Sequence, residues 1–296
     1  MPPCCGSSSS IFLAAPWSGG RISVAAAAKP GRRPVRVART GPRSRPSTPS
    51  AVLTRLDHLV ILVRDLELAS ADCERLGFAV TPGGEHADGL TRNALVLFHD
   101  GTYLELVSFL APEDPTDNVW GWRRFYPREG LIDYCAATDD LDADVERLAS
   151  LGFGVEGPED GGRRLPDGKT IRWRSARIRQ EGRIFPFLIE DLTPRVLRVP
   201  GGPETRHPNG AVGVSHLEIS TPDKESAADS LAELADKAPP VRLGSCTLRP
   251  VGARAEDAQG PGPTSVELAV GNAEGYRELD SAFTHGAGLR LRSRVG

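Results

Sequence analysis

The chain has 296 residues, of which 39% are hydrophobic, enough for one large or two small domains with a substantial core. Its formal charge of -3 is unevenly spread: residues 1–56 hold nine Arg or Lys and no acid, leaving 27 basic against 39 acidic groups in the remainder. A net-acidic body argues against a nucleic-acid partner, and no apolar run approaches the roughly 18 residues of a membrane span, so neither nucleic acid nor membrane is expected.

The first 50 residues are rich in Ser, Ala, Pro and Arg and show no helical or strand period. We read residues 1–52 as a disordered basic leader whose acid-poor composition is that of an organelle transit peptide. A chloroplast or mitochondrion is the destination on that reading; a plain basic tail or a misassigned start leaves the protein cytoplasmic. Cys4 and Cys5 lie in the leader and Cys73, Cys135 and Cys246 are dispersed in apolar contexts, which suits buried free thiols.

The body opens with "LTRLDHLVILV", a strand over about Leu56 to Val63. Asp65 then caps a helix with Leu66, Ala69, Cys73 and Leu76 at helical spacing, and Gly77 ends it. Phe78 opens further strands, at about 92–98 and 102–109, with "HDGT" as the turn between the last two. The order is strand, helix, strand, strand, strand.

Module two repeats it. "LIDYCAA" is the strand, and Asp139 or Asp140 caps a helix with Leu141, Val145, Leu148 and Leu151 inward. "LGF" closes both helices, and Gly77 follows His58 at the same 19-residue offset by which Gly152 follows Asp133. "TIRWRSARI" and "IFPFLIEDL" are its later strands. A degenerate third module starts at "GVSHLEIS", continues in a helix from about 222 to 236, and ends in "TSVELAV". The domains are thus the leader, paired βαβββ modules over 53–193, a linker over 194–213, the third module over 214–272 and a tail over 273–296. The fold class is α+β, with curved mixed sheets around a cleft.

Three times an acid-or-imidazole residue opens a first strand and a Glu follows about 50 residues later in an apolar strand: His58 with Glu105, Asp133 with Glu190, and His216 with Glu267. Alternation along strands lets His58 and Glu105 share one concavity. Burying them there is costly unless they pair or bind metal, which is the reason to suspect a site. The aromatic and basic run "WGWRRFYPRE" (120–129) is long enough to cover a cleft.

The run of "RLDHLVI", "RNALVLFHDGTYLELV", "LPDGKTIRWR", "PFLIE" and "HPNGAVGV" resembles the glyoxalase-like domain family of the vicinal-oxygen-chelate superfamily (glyoxalase, bleomycin-resistance and dioxygenase proteins), over about residues 55–272. The resemblance implies a metal taken from the first and last strands of two facing modules. Carried over, the ligands are His58, Glu105, Glu190 and Asp133, the last standing where His or Gln is usual. Glu105 or Glu190 is then the catalytic base. It further implies a divalent ion (Mn, Fe, Mg, Ni or Zn) and a lyase or isomerase acting on a small oxygen-rich substrate. Arg172, Trp173, His207 and Asn209 are candidate substrate contacts, and His216 with Glu267 a second candidate site. Two alternatives stand beside it: a metal-free small-molecule binding or sequestration protein of the bleomycin-resistance kind, and a ring-cleaving dioxygenase. An unpaired third module suits a homodimer.

Overall fold

The computed structural model describes residues 53–165, 168–253, 260–271 and 275–293; the leader, and with it the transit-peptide reading, lies outside the described residues. Module one comprises strand β1 (Arg55–Leu62), helix α1 (Leu66–Arg75) and strands β2 (Thr81–Glu85), β3 (Thr91–Leu97) and β4 (Tyr103–Phe109). Asp65 caps α1 by accepting from the Leu68 amide, and Gly77 beyond it has φ +85°, where a side chain is disfavoured. Module two follows with β5 (Gly130–Ala137), α2 (Leu141–Ser150), β6 (Val155–Arg164), β7 (Thr170–Ile178) and β8 (Phe187–Asp191). Asp140 caps α2, and Leu148 is buried, but Leu151 is 42% exposed and takes no part in the core.

These eight strands form one sheet in the order β2-β3-β4-β1-β5-β8-β7-β6. Within each module the first strand runs parallel to the last, and the two first strands meet antiparallel at the centre. Two bulges interrupt that central pairing, one at Asp57 and one at Ile132, each immediately before the position the sequence singled out. They obey a local two-fold: His58 faces Cys135, and Val60 faces Asp133.

The sheet curls until its outer strands touch. His86, just past β2, bridges Arg163 of β6, and the Ala87 amide donates to the Gly162 carbonyl at 2.9 Å. Glycine permits the approach: at Gly84, with φ +127°, an added Cβ would stand 2.6 Å from the Arg164 carbonyl oxygen. An eight-stranded curl has an interior that side chains nearly fill, with room for one small ligand.

The remaining strands make a second sheet, ordered β10-β11-β9-β12-β14-β13. Its members are β9 (Ala211–Thr221), β10 (Arg242–Leu243), β11 (Cys246–Gly252), β12 (Gly262–Val270), β13 (Tyr276–Glu278) and β14 (Gly288–Ser293), with α3 (Lys224–Ala235) after β9. Two readings change here. The region taken as a tail supplies β13 and β14, with Leu289 and Leu291 buried. And β12 does not close the third module. It pairs antiparallel with β9 as β5 does with β1, while β11 is the parallel neighbour of β9 and β14 that of β12. The second sheet is therefore two truncated modules, the latter without a helix in its described residues. The third module has its partner within the chain, which removes the reason for expecting a homodimer.

The helix-bearing faces of both sheets share one core, joining Leu59, Ile61, Leu104 and Leu188 to Leu217, Ile219, Val266 and Leu268. The free thiols of Cys73, Cys135 and Cys246 are buried; burial pushes that of Cys73 up to about 12. No helix among the described residues is long and apolar enough to cross a membrane.

The seam between β2 and β6 can be tested by packing. Gly84→Ala combines a backbone clash with a φ that only glycine adopts readily, and should cost about 2–4 kcal/mol in urea denaturation. Gly89→Ala, where φ is +68° and no atom lies within 4 Å of the added carbon, should cost only about 1–2 kcal/mol. Equal losses would mean that the seam does not close in solution.

Candidate functional site

The concave face of the eight-stranded sheet encloses a cavity of about 140 Å³, near the size that holds a benzene molecule in an engineered core. His58 and Glu105 stand on its floor, and Tyr103, Trp120, Trp173 and Phe187 contribute its apolar walls. The 120–129 run does cover this face: Trp120 lies 4.4 Å from the Phe187 ring centroid, and Trp122 is buried beside it.

His58 is held from both sides. The bulge turns Asp57 so that its Oδ1 lies 2.8 Å from His58 Nδ1. A carboxylate only accepts, so Nδ1 carries the proton and the neutral ring presents a bare Nε2. That nitrogen faces Glu105 Oε2 at 3.3 Å. Two acceptors in that relation require a proton or a metal cation between them. The Tyr103 ring stacks on the imidazole at 4.7 Å.

Asp57 is fully buried and ion-paired with Arg198 at 2.8 Å and with Arg195. Burial alone would raise its pKa, but the Arg198 charge and the hydrogen bonds from His58 and Arg198 hold it well below the carboxylate range. For His58, burial works downward and is outweighed by the hydrogen bonds to Asp57 and Glu105, which leave it raised. Glu105 likewise lies well below its ordinary value, because His58 and His86 oppose the effect of burial.

Three residues at this site escaped the sequence reading. His86 Nε2 stands 3.3 Å from Glu105 Oε1, with the Thr91 hydroxyl 2.7 Å from its Nδ1. Asn93 donates from Nδ2 to the same Glu105 oxygen and accepts from Arg163 at 3.2 Å. None occupies a first-strand or last-strand position, so the repeat gave no signal for them. "RNAL" within an alternating strand was the available hint, since Asn93 falls on the face of Leu95 and Leu97 rather than with Ala94 and Val96.

Several expected ligands are placed elsewhere. Glu105 pairs across from Val60, two residues after His58; the same step in module two leads from Asp133 to Cys135 and across to Phe187. Phe187, which has no ligand atom, thus stands where a second Glu was expected. Glu190 lies three residues further on, on the opposite face, where Arg174 clamps it at 2.6 Å and also binds Asp142 of α2. Asp133 does face inward, but Arg183 at 3.2 Å and Trp122 Nε1 at 2.9 Å occupy one of its oxygens and the Tyr134 amide the other. Burial leaves its pKa raised in spite of Arg183.

Of the substrate contacts, only Trp173 lines the cavity; Arg172 is exposed on the other face of β7. His207 accepts from the Ala79 amide, binds the Leu97 carbonyl and packs on Phe78 and Phe98, so it is a strut. Asn209 bonds the carbonyl of Leu76 and the amide of Ala211, which fixes the end of α1. His216 and Glu267 do pair, at 3.2 Å, but on the second sheet. There Arg249 and Arg290 fill the places equivalent to Glu105, and Glu267 is matched by Arg292 at 2.9 Å.

Among the described residues, one trio of metal-ligand types converges within 4.8 Å: Asp57, His58 and Cys135. Its Asp57 oxygens are committed to Arg198 and Arg195, and burial pushes the Cys135 thiol well up. The accessible side of His58 is instead Nε2, which with Glu105 offers a cation two ligands; His86 adjoins the other oxygen of that carboxylate and does not converge with them within 4.8 Å. This donor set is smaller than the four ligands expected from the sequence.

Removing Asp57 should be far costlier than removing Glu190. Asp57→Asn leaves Arg198 short of its buried partner, an expected loss of about 3–5 kcal/mol. Glu190→Gln breaks a surface pair worth about 1 kcal/mol or less. Chemical denaturation of both variants gives the comparison, and a similar loss in each would show that Asp191 alone neutralises Arg198.

With this geometry established, comparison with known proteins places the chain. Residues 56–235 match the model of the glyoxalase-like domain. No curated protein matches the chain in sequence. Among solved structures, a hypothetical protein from Staphylococcus aureus aligns with a TM-score of 0.64 and 16% identity, covering 80% of this chain and 98% of that one. A mutant of 4-hydroxymandelate synthase from Streptomyces coelicolor aligns with a TM-score of 0.55 and 13% identity, covering 83% and 94%. At such identities the likeness is one of fold. The chain belongs to the glyoxalase-like domain family, within the vicinal-oxygen-chelate superfamily.

Proposed function

We propose that this protein is a metal-dependent lyase or isomerase that moves a proton on a small, oxygen-rich substrate held in the cavity. The observation that carries the reading is the buried imidazole whose Nδ1 is fixed by Asp57 while its Nε2 faces Glu105 at 3.3 Å. A carboxylate behind a metal-binding histidine fixes its tautomer and raises its basicity. His58 and Glu105 would hold the ion. When bound, a divalent ion supplies Lewis-acid stabilisation of negative charge developing on substrate oxygen.

The chain's own groups divide the remaining work. Glu105 Oε1 and His86 Nε2 lie together at the cavity floor and form a path on which a proton can be taken up and returned. Asn93 fixes the orientation of that carboxylate. Trp120, Trp173 and Phe187 exclude water and strengthen every charge interaction inside. Glu190 has no part in this scheme.

A metal-free binding protein is the second reading, favoured by Phe187 at a ligand position and by Asp133 already paired with Arg183. Here a protonated His58 sits between two carboxylates and the cavity only holds its guest. Metal content of protein purified without chelator, then offered Mn²⁺, Fe²⁺, Ni²⁺ or Zn²⁺, separates the two. One ion per chain in wild type and in Glu190→Gln, lost in His58→Ala and Glu105→Gln, supports the enzyme. Wild type that takes up no ion overturns it.

A further inference from the structure

Three arginines of the described body are buried below a tenth of their surface: Arg163, Arg183 and Arg198. Two have carboxylate partners, Asp133 for Arg183 and Asp57 for Arg198. Arg163 has none at ion-pairing distance among the described residues. It is 4% exposed, and its guanidinium donates to Asn93 Oδ1 at 3.2 Å and to the Arg198 carbonyl at 3.4 Å, while its Nε has no partner. A buried, unneutralised guanidinium is expensive to keep.

Its position gives the expense a use. Arg163 lines the cavity behind the seam that closes the curl, with Trp173 and Phe187 also in the lining, while the lining carboxylates Asp88, Glu159 and Asp160 are exposed to solvent. Glu105, the nearby carboxylate, is already shared by His58, His86 and Asn93. The Asp57 and Asp191 carboxylates are matched by Arg195 and Arg198. Among the buried groups of the lining, Arg163 is thus a guanidinium with no carboxylate at ion-pairing distance, beside aromatic walls. Guanidinium is the group suited to planar carboxylate and to phospho oxygens.

We propose that Arg163 is a substrate-binding residue, and that the natural ligand is a small organic anion: one carboxylate or phospho group on an apolar body of about benzene size. This deepens the reading of the cavity as a substrate site, but it does not depend on a metal.

Benzoate, phenylphosphonate and the uncharged benzamide serve as matched probes, titrated against the full chain in the presence of chelator and followed by the fluorescence of the cavity tryptophans. Wild type should bind one of the two anions about tenfold or more tightly than benzamide, the worth of one charge-assisted hydrogen-bonded pair. Which anion binds better tells a carboxylate ligand from a phospho ligand. Arg163→Met should bring the ratio to about one with benzamide affinity unchanged, and Arg163→Lys should retain part of it. A purely structural Arg163 would instead lower the unfolding midpoint and leave the ratio as in wild type. No anion preference in wild type, or an undiminished one in either folded variant, overturns the proposal. His58→Ala separates the two readings: it should lose metal while keeping the anion preference, so each fails on its own measurement.

Discussion

The structure turns on a buried ion pair. Arg198, 3% exposed, reaches from the segment between the two sheets to Asp57 on β1, Asp191 on β8 and the Tyr103 hydroxyl on β4. Such a pair offsets its own desolvation only when the remaining donors are also satisfied. Here they are: Arg198 spends its guanidinium on three acceptors from both modules, and Arg195 adds the Gly101 carbonyl. The result is more than cross-linking. Fixing Asp57 holds a proton on Nδ1 of His58, so that Nε2, facing Glu105 at 3.3 Å, is the nitrogen turned to the cavity.

The same network explains why the segment 194–213 is not a linker in the mechanical sense. Two short 3₁₀ turns, Arg195–Leu197 and Pro203–Thr205, press it against the first sheet, with Val199 packed on Leu95, Leu97 and Tyr103. Its Pro and Gly content reads as loose chain, yet Arg195 and Arg198 are what the floor of the site is anchored to. Composition reports how a segment can bend. It does not report which charges the segment delivers.

Legibility in the sequence followed the range of the interaction. Helix caps, turns and strand alternation are local, and Asp65, Asp140 and "HDGT" stand where the pattern placed them. His58 with Glu105 was also legible, because β1 and β4 are parallel neighbours and two-residue alternation fixes the shared face. Glu190 misled because a spacing near that of the first pair was counted along the chain, whereas a side chain's face is set by register; three residues past Phe187 is an odd step and points away. Glu267 misled for a larger reason. Its strand belongs to a different module, a fact carried by pairing with β9 and β14 rather than by the motif itself. His86, Asn93 and Arg163 come together only when the ends of the sheet meet, an event with no signature within any one strand.

The four module copies allow one more step. Their equivalent pairs are His58 with Glu105, Asp133 with Phe187, His216 with Arg249, and Ser265 with Arg290. Of these equivalent pairs only the first sets an imidazole against a carboxylate on its parallel neighbour; His216 meets Glu267 instead, on the antiparallel strand β12. In the second sheet both last-strand positions are arginines, and Glu218 and Glu267 neutralise them in turn. That arrangement is self-sufficient: each charge has its partner, and nothing further is required of a ligand. The first sheet is different because its copies have diverged to complementary ends. Module one keeps the reactive pair, while module two has exchanged its equivalents for a wall, Phe187, and for a carboxylate bound to Arg183. Module two also brings Arg163 across the seam. The cavity is therefore asymmetric, with His58 and Glu105 on its floor and the buried Arg163 guanidinium in its lining, a geometry suited to holding one small ligand in one orientation and not to a symmetric pair of sites.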